Sequence, residues 1–155
     1  MVLVLNQLPS LASLELVNVN AVGETHPLCL ELVVSQHLDD LCIIVLDELS
    51  PKSFLRILSL FSSVDALSLI GADMEGILMD DNMAGWPLPQ YALKRLEILD
   101  DSPLSELFST MMLSPSLLQS VESLKMEGLG WANVDAFEHL IAQVGSSLLY
   151  FEPPD

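Results

Sequence analysis

Three pairs of neighbouring acids, Asp39-Asp40, Asp80-Asp81 and Asp100-Asp101, are residues of the type that holds a hard cation. Neighbours on a strand point to opposite faces, and no D-x-D-x-D-G loop accompanies them, so solvated charge is the simpler account. His26, His37 and His139 are scattered, and none stands four residues from another His or a Cys, so no zinc pattern emerges. A Cys-His nucleophile pair would require Cys42 to meet a histidine through unusual folding. There is no G-x-S-x-G and no P-loop, and Gly128-Leu-Gly130-Trp131 lacks the third glycine of a dinucleotide turn. The sequence therefore gives no reason to expect a metal, a cofactor or a catalytic residue.

Composition narrows the class further. The 155 residues suit one domain, and 51% of them are hydrophobic, with a mean hydropathy of +0.49. That much apolar material excludes a disordered chain. Five Lys and Arg stand against 22 Asp and Glu, a formal charge of -17. A nucleic-acid binder needs a basic footprint and an anionic membrane attracts basic segments, so neither partner is expected. The acidity has two readings: it keeps an apolar molecule soluble, or it steers a basic partner. The first needs nothing further.

The longest apolar runs, residues 1–5 and 41–46, fall far short of the ~20 residues of a spanning helix. Met1-Val-Leu-Val-Leu5 has no basic flank or cleavage site of a signal peptide. Cys29 and Cys42 are too few for a disulfide framework, and no Asn-x-Ser/Thr acceptor occurs. These features lead to an expectation of a cytoplasmic or nuclear protein.

What could position any surface chemistry is a repeat. An apolar-x-x-apolar-x-apolar phrase begins at Leu11 (Leu11, Leu14, Leu16), Leu38 (Leu38, Leu41, Ile43), Val64 (Val64, Leu67, Leu69), Leu93 (Leu93, Leu96, Ile98) and Val121 (Val121, Leu124, Met126). A degraded copy is aligned from Ser146, with Leu149 and Phe151 in the apolar places. The starts are 27, 26, 29, 28 and 25 residues apart. Alternation within each phrase predicts a half-buried strand. Between phrases the spacing predicts helices: Ser50 to Ser62, capped by Ser50-Pro51, with Phe54, Ile57, Leu58 and Phe61 inward; one after Ser102-Pro103, with Leu104, Leu107, Phe108 and Met111; and one from Asn133, with Val134, Phe137, Ile141 and Val144, closed by Gly145. Residues 21–37 read as helix or strand, and 71–91 mainly as a surface loop. Strand, helix, strand at this period implies parallel strands, stacked into a solenoid whose units bury one another's apolar faces.

On these six phrases the chain resembles leucine-rich-repeat proteins of the longer, helix-containing class. More narrowly, Leu8-Pro-Ser-Leu-Ala-Ser-Leu-Glu-Leu16 and Phe54-Leu-Arg-Ile-Leu-Ser-Leu-Phe61 resemble the irregular repeats of fungal F-box-like proteins. The resemblance implies an α/β fold, a short horseshoe with parallel strands on the concave face and helices and loops on the convex one. It covers residues 1–155 as one domain of about six irregular repeats. The places where the family usually carries Asn or Cys hold Val19, Leu46, Ala72, Asp101 and Leu129, so the asparagine ladder is missing. No F-box segment stands ahead of the repeats, and an adaptor role in ubiquitin ligation needs one.

Such a solenoid is expected to be a non-catalytic protein-protein interaction module, read here as the substrate-recognition region of a ubiquitin-ligase adaptor if an F-box lies elsewhere. Its middle concave column would be Glu15, Cys42, Ser68, Glu97, Lys125 and Tyr150, flanked by Asp39, Asp40, Asp65, Lys94, Arg95 and Glu122. Three of the five basic residues thereby fall on one face. The competing account is mutual neutralisation by cross-strand ion pairs of ~0.2–1 kcal/mol each. Trp86, in Gly85-Trp-Pro87, is the better of the two tryptophans for an exposed contact. The N-terminal flank is expected to be exposed, covered by a partner or truncated, with association through uncapped ends. The rivals are a small α/β enzyme using carboxylates at strand ends, and a repeat fragment without a function of its own.

Overall fold

The computed structural model describes residues 11–17, 34–45, 49–71, 88–99, 104–127 and 134–153. The strands are β1 (Ser13–Val17), β2 (Val34–Ile44), β3 (Phe61–Ile70), β4 (Arg95–Leu99), β5 (Ser123–Met126) and β6 (Tyr150–Glu152). They form one six-stranded sheet in chain order, every neighbouring pair parallel. Helix α1 (Pro51–Ser59) lies between β2 and β3, α2 (Leu104–Met112) and a 3-10 turn (Pro115–Leu118) between β4 and β5, and α3 (Val134–Val144) between β5 and β6. The helices follow the strand order, α1 packing on α2 and α2 on α3.

The leucine spacing becomes a column. Leu14 stands opposite Leu41, Leu41 opposite Leu67, Leu67 opposite Leu96 and Leu96 opposite Leu124. Leu16, Ile43, Leu69, Ile98 and Met126 form a second column two residues along, where alternation returns the chain to the same face. The leading residues Leu38, Val64, Leu93 and Val121 are also fully buried. Three rows of aliphatic side chains, with Phe54, Leu55, Leu58, Leu107, Met111, Leu140 and Val144 from the helices, make one core.

Local rules start and stop the elements. Ser50 has extended backbone and its hydroxyl accepts from the Ser53 amide at 3.2 Å, while Pro51 fills the first helical position. The helix closes sooner than its apolar spacing predicts. The Ser59 hydroxyl donates to the Arg56 carbonyl at 2.9 Å and the Tyr91 hydroxyl to the Leu58 carbonyl at 2.8 Å, so two carbonyls of the last turn find side-chain partners. Phe61, expected on the helix stripe, is instead the first residue of β3, buried opposite Val34, and Leu55 takes its share of the helix face. Gly71 follows β3 at φ +60, where a side chain would strain the backbone and its Cβ would lie 2.9 Å from the Val45 carbonyl oxygen.

Other expectations are adjusted at the edges. β2 takes up residues 34–37 of the ambiguous 21–37 stretch. At the end of 71–91, Pro89 is buried and its carbonyl accepts from Ser114 at 2.6 Å and Ser116 at 3.2 Å, so this part is packed rather than a free loop. On α3, Leu140 and Val144 are buried and Phe137 and Ile141 half-buried, whereas Val134, expected inward, is exposed. Gly145 ends that helix, its amide donating to the Ile141 carbonyl at 2.8 Å. Residues 1–10, Trp86, Trp131, Cys29, His26, the acid pairs at 80–81 and 100–101, the caps at 102–103 and 133, and the five asparagine-ladder places lie outside the described residues. No described helix is long and apolar enough to cross a membrane.

Candidate partner-binding face

Alternation along each strand sends the residues between the leucines to the face opposite the helices. Glu15, Cys42, Ser68, Glu97 and Lys125 stand in register there, as the spacing predicts. The sixth member is Glu152, not Tyr150. Phe151 stands opposite Leu124 and packs on Phe137, ring centres 6.0 Å apart, which places Leu148 in the leading position. Leu149, expected in the leucine column, is 83% exposed. A slip of two residues keeps every side chain on its own face, so alternation alone does not distinguish the two registers. Tyr150 moves to the adjoining column, Ser13, Asp40, Ala66, Arg95, Ser123 and Tyr150, where its hydroxyl donates to Glu152 at 3.1 Å.

The remaining candidates, Asp39, Asp65, Lys94 and Glu122, form a row, the rim, three residues before the middle column, where β4 and β5 begin and β2 and β3 are already under way. A backbone device recurs at Asp39, at Glu122 and at Leu149 in the last unit. The amides of Asp39 and Asp40 both donate to the Ala12 carbonyl, at 2.8 and 3.1 Å. Those of Glu122 and Ser123 share the Lys94 carbonyl, at 2.8 and 3.0 Å, and those of Leu149 and Tyr150 share the Glu122 carbonyl, at 2.8 and 2.9 Å. Two amides on one acceptor break the pleat, as a bulge does, and leave the rim side chains in solvent.

Every cation on this face is already bonded to a carboxylate. Lys94 Nζ lies 2.8 Å from Asp65, and the charges of Asp65, then Glu122 and Asp39, hold the ammonium above its usual range. Arg95 forms an ion pair with Asp40 on β2, reaching over β3 at Ala66, and lies 3.7 Å from Glu97. Glu97 also accepts from the Ser68 hydroxyl at 2.9 Å. Lys125 lies 3.0 Å from Glu127 and 3.3 Å from Glu152, and both push its ammonium up. Among the described residues Glu15 and Glu122 make no ion pair. Among the described residues, eight carboxylates of face and rim (Glu15, Asp39, Asp40, Asp65, Glu97, Glu122, Glu127, Glu152) thus surround three cations.

Two further features were not foreseen. His37, on β2, contacts Ser63 at 2.7 Å through Nδ1 and Asp39 at 3.1 Å through Nε2, and one ligand atom each from His37, Asp39 and Asp65 falls within 4.8 Å of the others. Spacing along one strand could not show this, because Asp65 comes from the neighbour. Asp65 Oδ2 is the very atom that Lys94 holds, so the place a cation would take is next to an ammonium. The second feature is apolar. Val17, Ile44, Ile70 and Leu99 stand in register on the open face, outside the core cluster, with Val17 52% exposed and the others partly exposed. The signal was present as an apolar residue immediately after the third apolar place in four consecutive phrases.

Burial, then the charges of Glu15 and Glu97, raises the Cys42 thiol above its usual range. That is the opposite of what an activated nucleophile needs. Both described histidine rings are engaged elsewhere, His37 as above and His139 with the Asp135 carbonyl at 2.6 Å. Compared with family models, curated proteins and solved structures, the chain matches none.

Proposed function

We propose that this chain is a leucine-rich-repeat solenoid acting as a non-catalytic protein-interaction module that binds through the open face of its sheet. One observation carries the reading: six parallel strands leave one face polar and partly exposed. Parallel sheets usually have both faces covered, so a wholly parallel sheet with a polar, partly exposed face has a surface to spare. Support for the solenoid comes from the in-register columns, the shared backbone device at three rim positions and the helices stacked in chain order, since in such folds each unit touches only its neighbours. Joined to an F-box module, this surface would serve as the substrate-reading part of a ubiquitin-ligase adaptor.

The test is position-dependent photocrosslinking in lysate of the source cells, with a benzophenone residue at Ser68 on the open face or at Gln143 on the exposed side of α3. A discrete heavier adduct at Ser68 and none at Gln143 is the expected result. Adducts of equal yield at both places, or none at Ser68, would overturn the reading.

A further inference from the structure

We infer that the partner of this face is a basic amphipathic segment, its Lys or Arg residues meeting the excess of carboxylates on and beside the column from Glu15 to Glu152 and its apolar residues seated on Val17, Ile44, Ile70 and Leu99. The inference rests on the interaction reading above and adds the chemistry of the occupant. Two independent observations converge on it.

The first is the direction of the charge excess. Lys94, Arg95 and Lys125 are spent on carboxylates of this same surface, so none is offered to an acidic partner. Among the described residues Glu15 makes no ion pair, Glu122 acts on the already bonded Lys94 only at longer range, and eight carboxylates of face and rim stand against three cations. An acidic segment would have to displace internal pairs, whereas a basic one adds to unmet charge. The second is the apolar ledge. It runs parallel to the charged column, two residues further along the strands, or about 6.6 Å away. Charge alone would ask for a polycation. A charged line beside an apolar line asks for two kinds of side chain on one segment. Six strands span five spacings of about 4.8 Å, which a helix of about 16 residues covers at 1.5 Å per residue.

The experiment uses the full chain and a labelled synthetic peptide of about that length, Leu on one helical face and Lys on the other. Its companions carry Ser for Leu, or Glu for Lys. Fluorescence anisotropy at moderate salt should show binding of the Lys-Leu peptide, weakening of about tenfold when Leu becomes Ser, and none when Lys becomes Glu. Glu15→Lys should weaken binding about tenfold, and Val17→Ser severalfold. Arg95→Gln, which frees Asp40 and Glu97, should tighten it. Thermal melts of the variants check that each remains folded, and both Glu15 and Val17 are exposed. Equal weakening by Glu138→Lys on exposed α3 would overturn the inference, since the chain would then be attracting any polycation through its net charge. So would indifference to the loss of Leu. A Ser68 adduct with a partner that carries no basic amphipathic segment would overturn this inference and leave the interaction reading standing.

Discussion

On one side of the sheet Leu41, Leu67, Leu96 and Leu124 lie side by side at 0–1% exposure. One residue further along each strand, Cys42, Ser68, Glu97 and Lys125 lie side by side, half-exposed. The same backbone hydrogen bonds set both rows, yet they carry different loads. The inner row gains from removal of water, at ~25 cal/mol per Å² of apolar surface buried. The outer row gains little, because half-exposed ion pairs are screened and contribute about 0–1 kcal/mol each. One register therefore yields a stabilising surface and a nearly cost-free one, and the second can vary in sequence without endangering the first.

The comparison can be broken most severely by changing the register itself. Excising residues 93–120, one whole period, joins Ala92 to Val121 and should leave a shorter protein with a cooperative melt. Excising 14 of those residues should abolish cooperative unfolding, because leading apolar residues would then meet charged neighbours. Loss of the melt in both would refute the repeat. Next in size is the difference between the faces at one strand. Leu67→Ala should cost about 2–5 kcal/mol in urea unfolding, against less than about 1 kcal/mol for Ser68→Ala. Equal effects would mean the outer row also bears the fold.

A smaller effect is expected where the two faces meet at the end of β3. Gly71→Ala should cost about 1–2 kcal/mol from its left-handed backbone, with added crowding against the Val45 carbonyl. A neutral result would show that this turn has room to rearrange. The smallest effect is a shift in one titration, with a slight loss of stability as pH rises past the thiol's unfolded pKa. The Cys42 thiol is raised, so the folded state holds its proton to higher pH than the unfolded chain does. Its alkylation rate should reach half-maximum above the usual thiol pKa of 8.5, and Glu15→Gln or Glu97→Gln should bring the midpoint down. Mass mapping separates Cys42 from Cys29. An unmoved midpoint in both variants would show that the outer row imposes no field on its centre.

The inner face was legible from spacing alone. Leu14, Leu41, Leu67, Leu96 and Leu124 could be aligned because water exclusion tolerates few polar residues in such a column. Where two forces compete, spacing misled. Phe61 satisfies the helix stripe as well as the strand that claims it. The copy ending at Phe151 keeps both faces in either of two registers, and the ring packing on Phe137 accompanies the one adopted. Contacts between strands were beyond reach for another reason. His37 meets Asp65, and Arg95 meets Asp40, only after pairing has placed them, and no fixed separation along the chain announces either. The ledge of Val17, Ile44, Ile70 and Leu99 was readable and missed, because an apolar residue beside a leucine looks like more core until its direction is asked.

Ala66 lies under the ion pair that joins Asp40 to Arg95 and is itself only 5% exposed. A methyl group is about the tallest feature that can pass beneath such a bridge. That place on the sheet is thus roofed, and an incoming chain would read the guanidinium and carboxylate rather than the strand below. The roof also links second neighbours, so β2 and β4 are fastened to each other without the help of the strand between them. Raising the ionic strength should loosen this clasp before it disturbs any leucine, uncovering a spot of backbone that is shut at low salt.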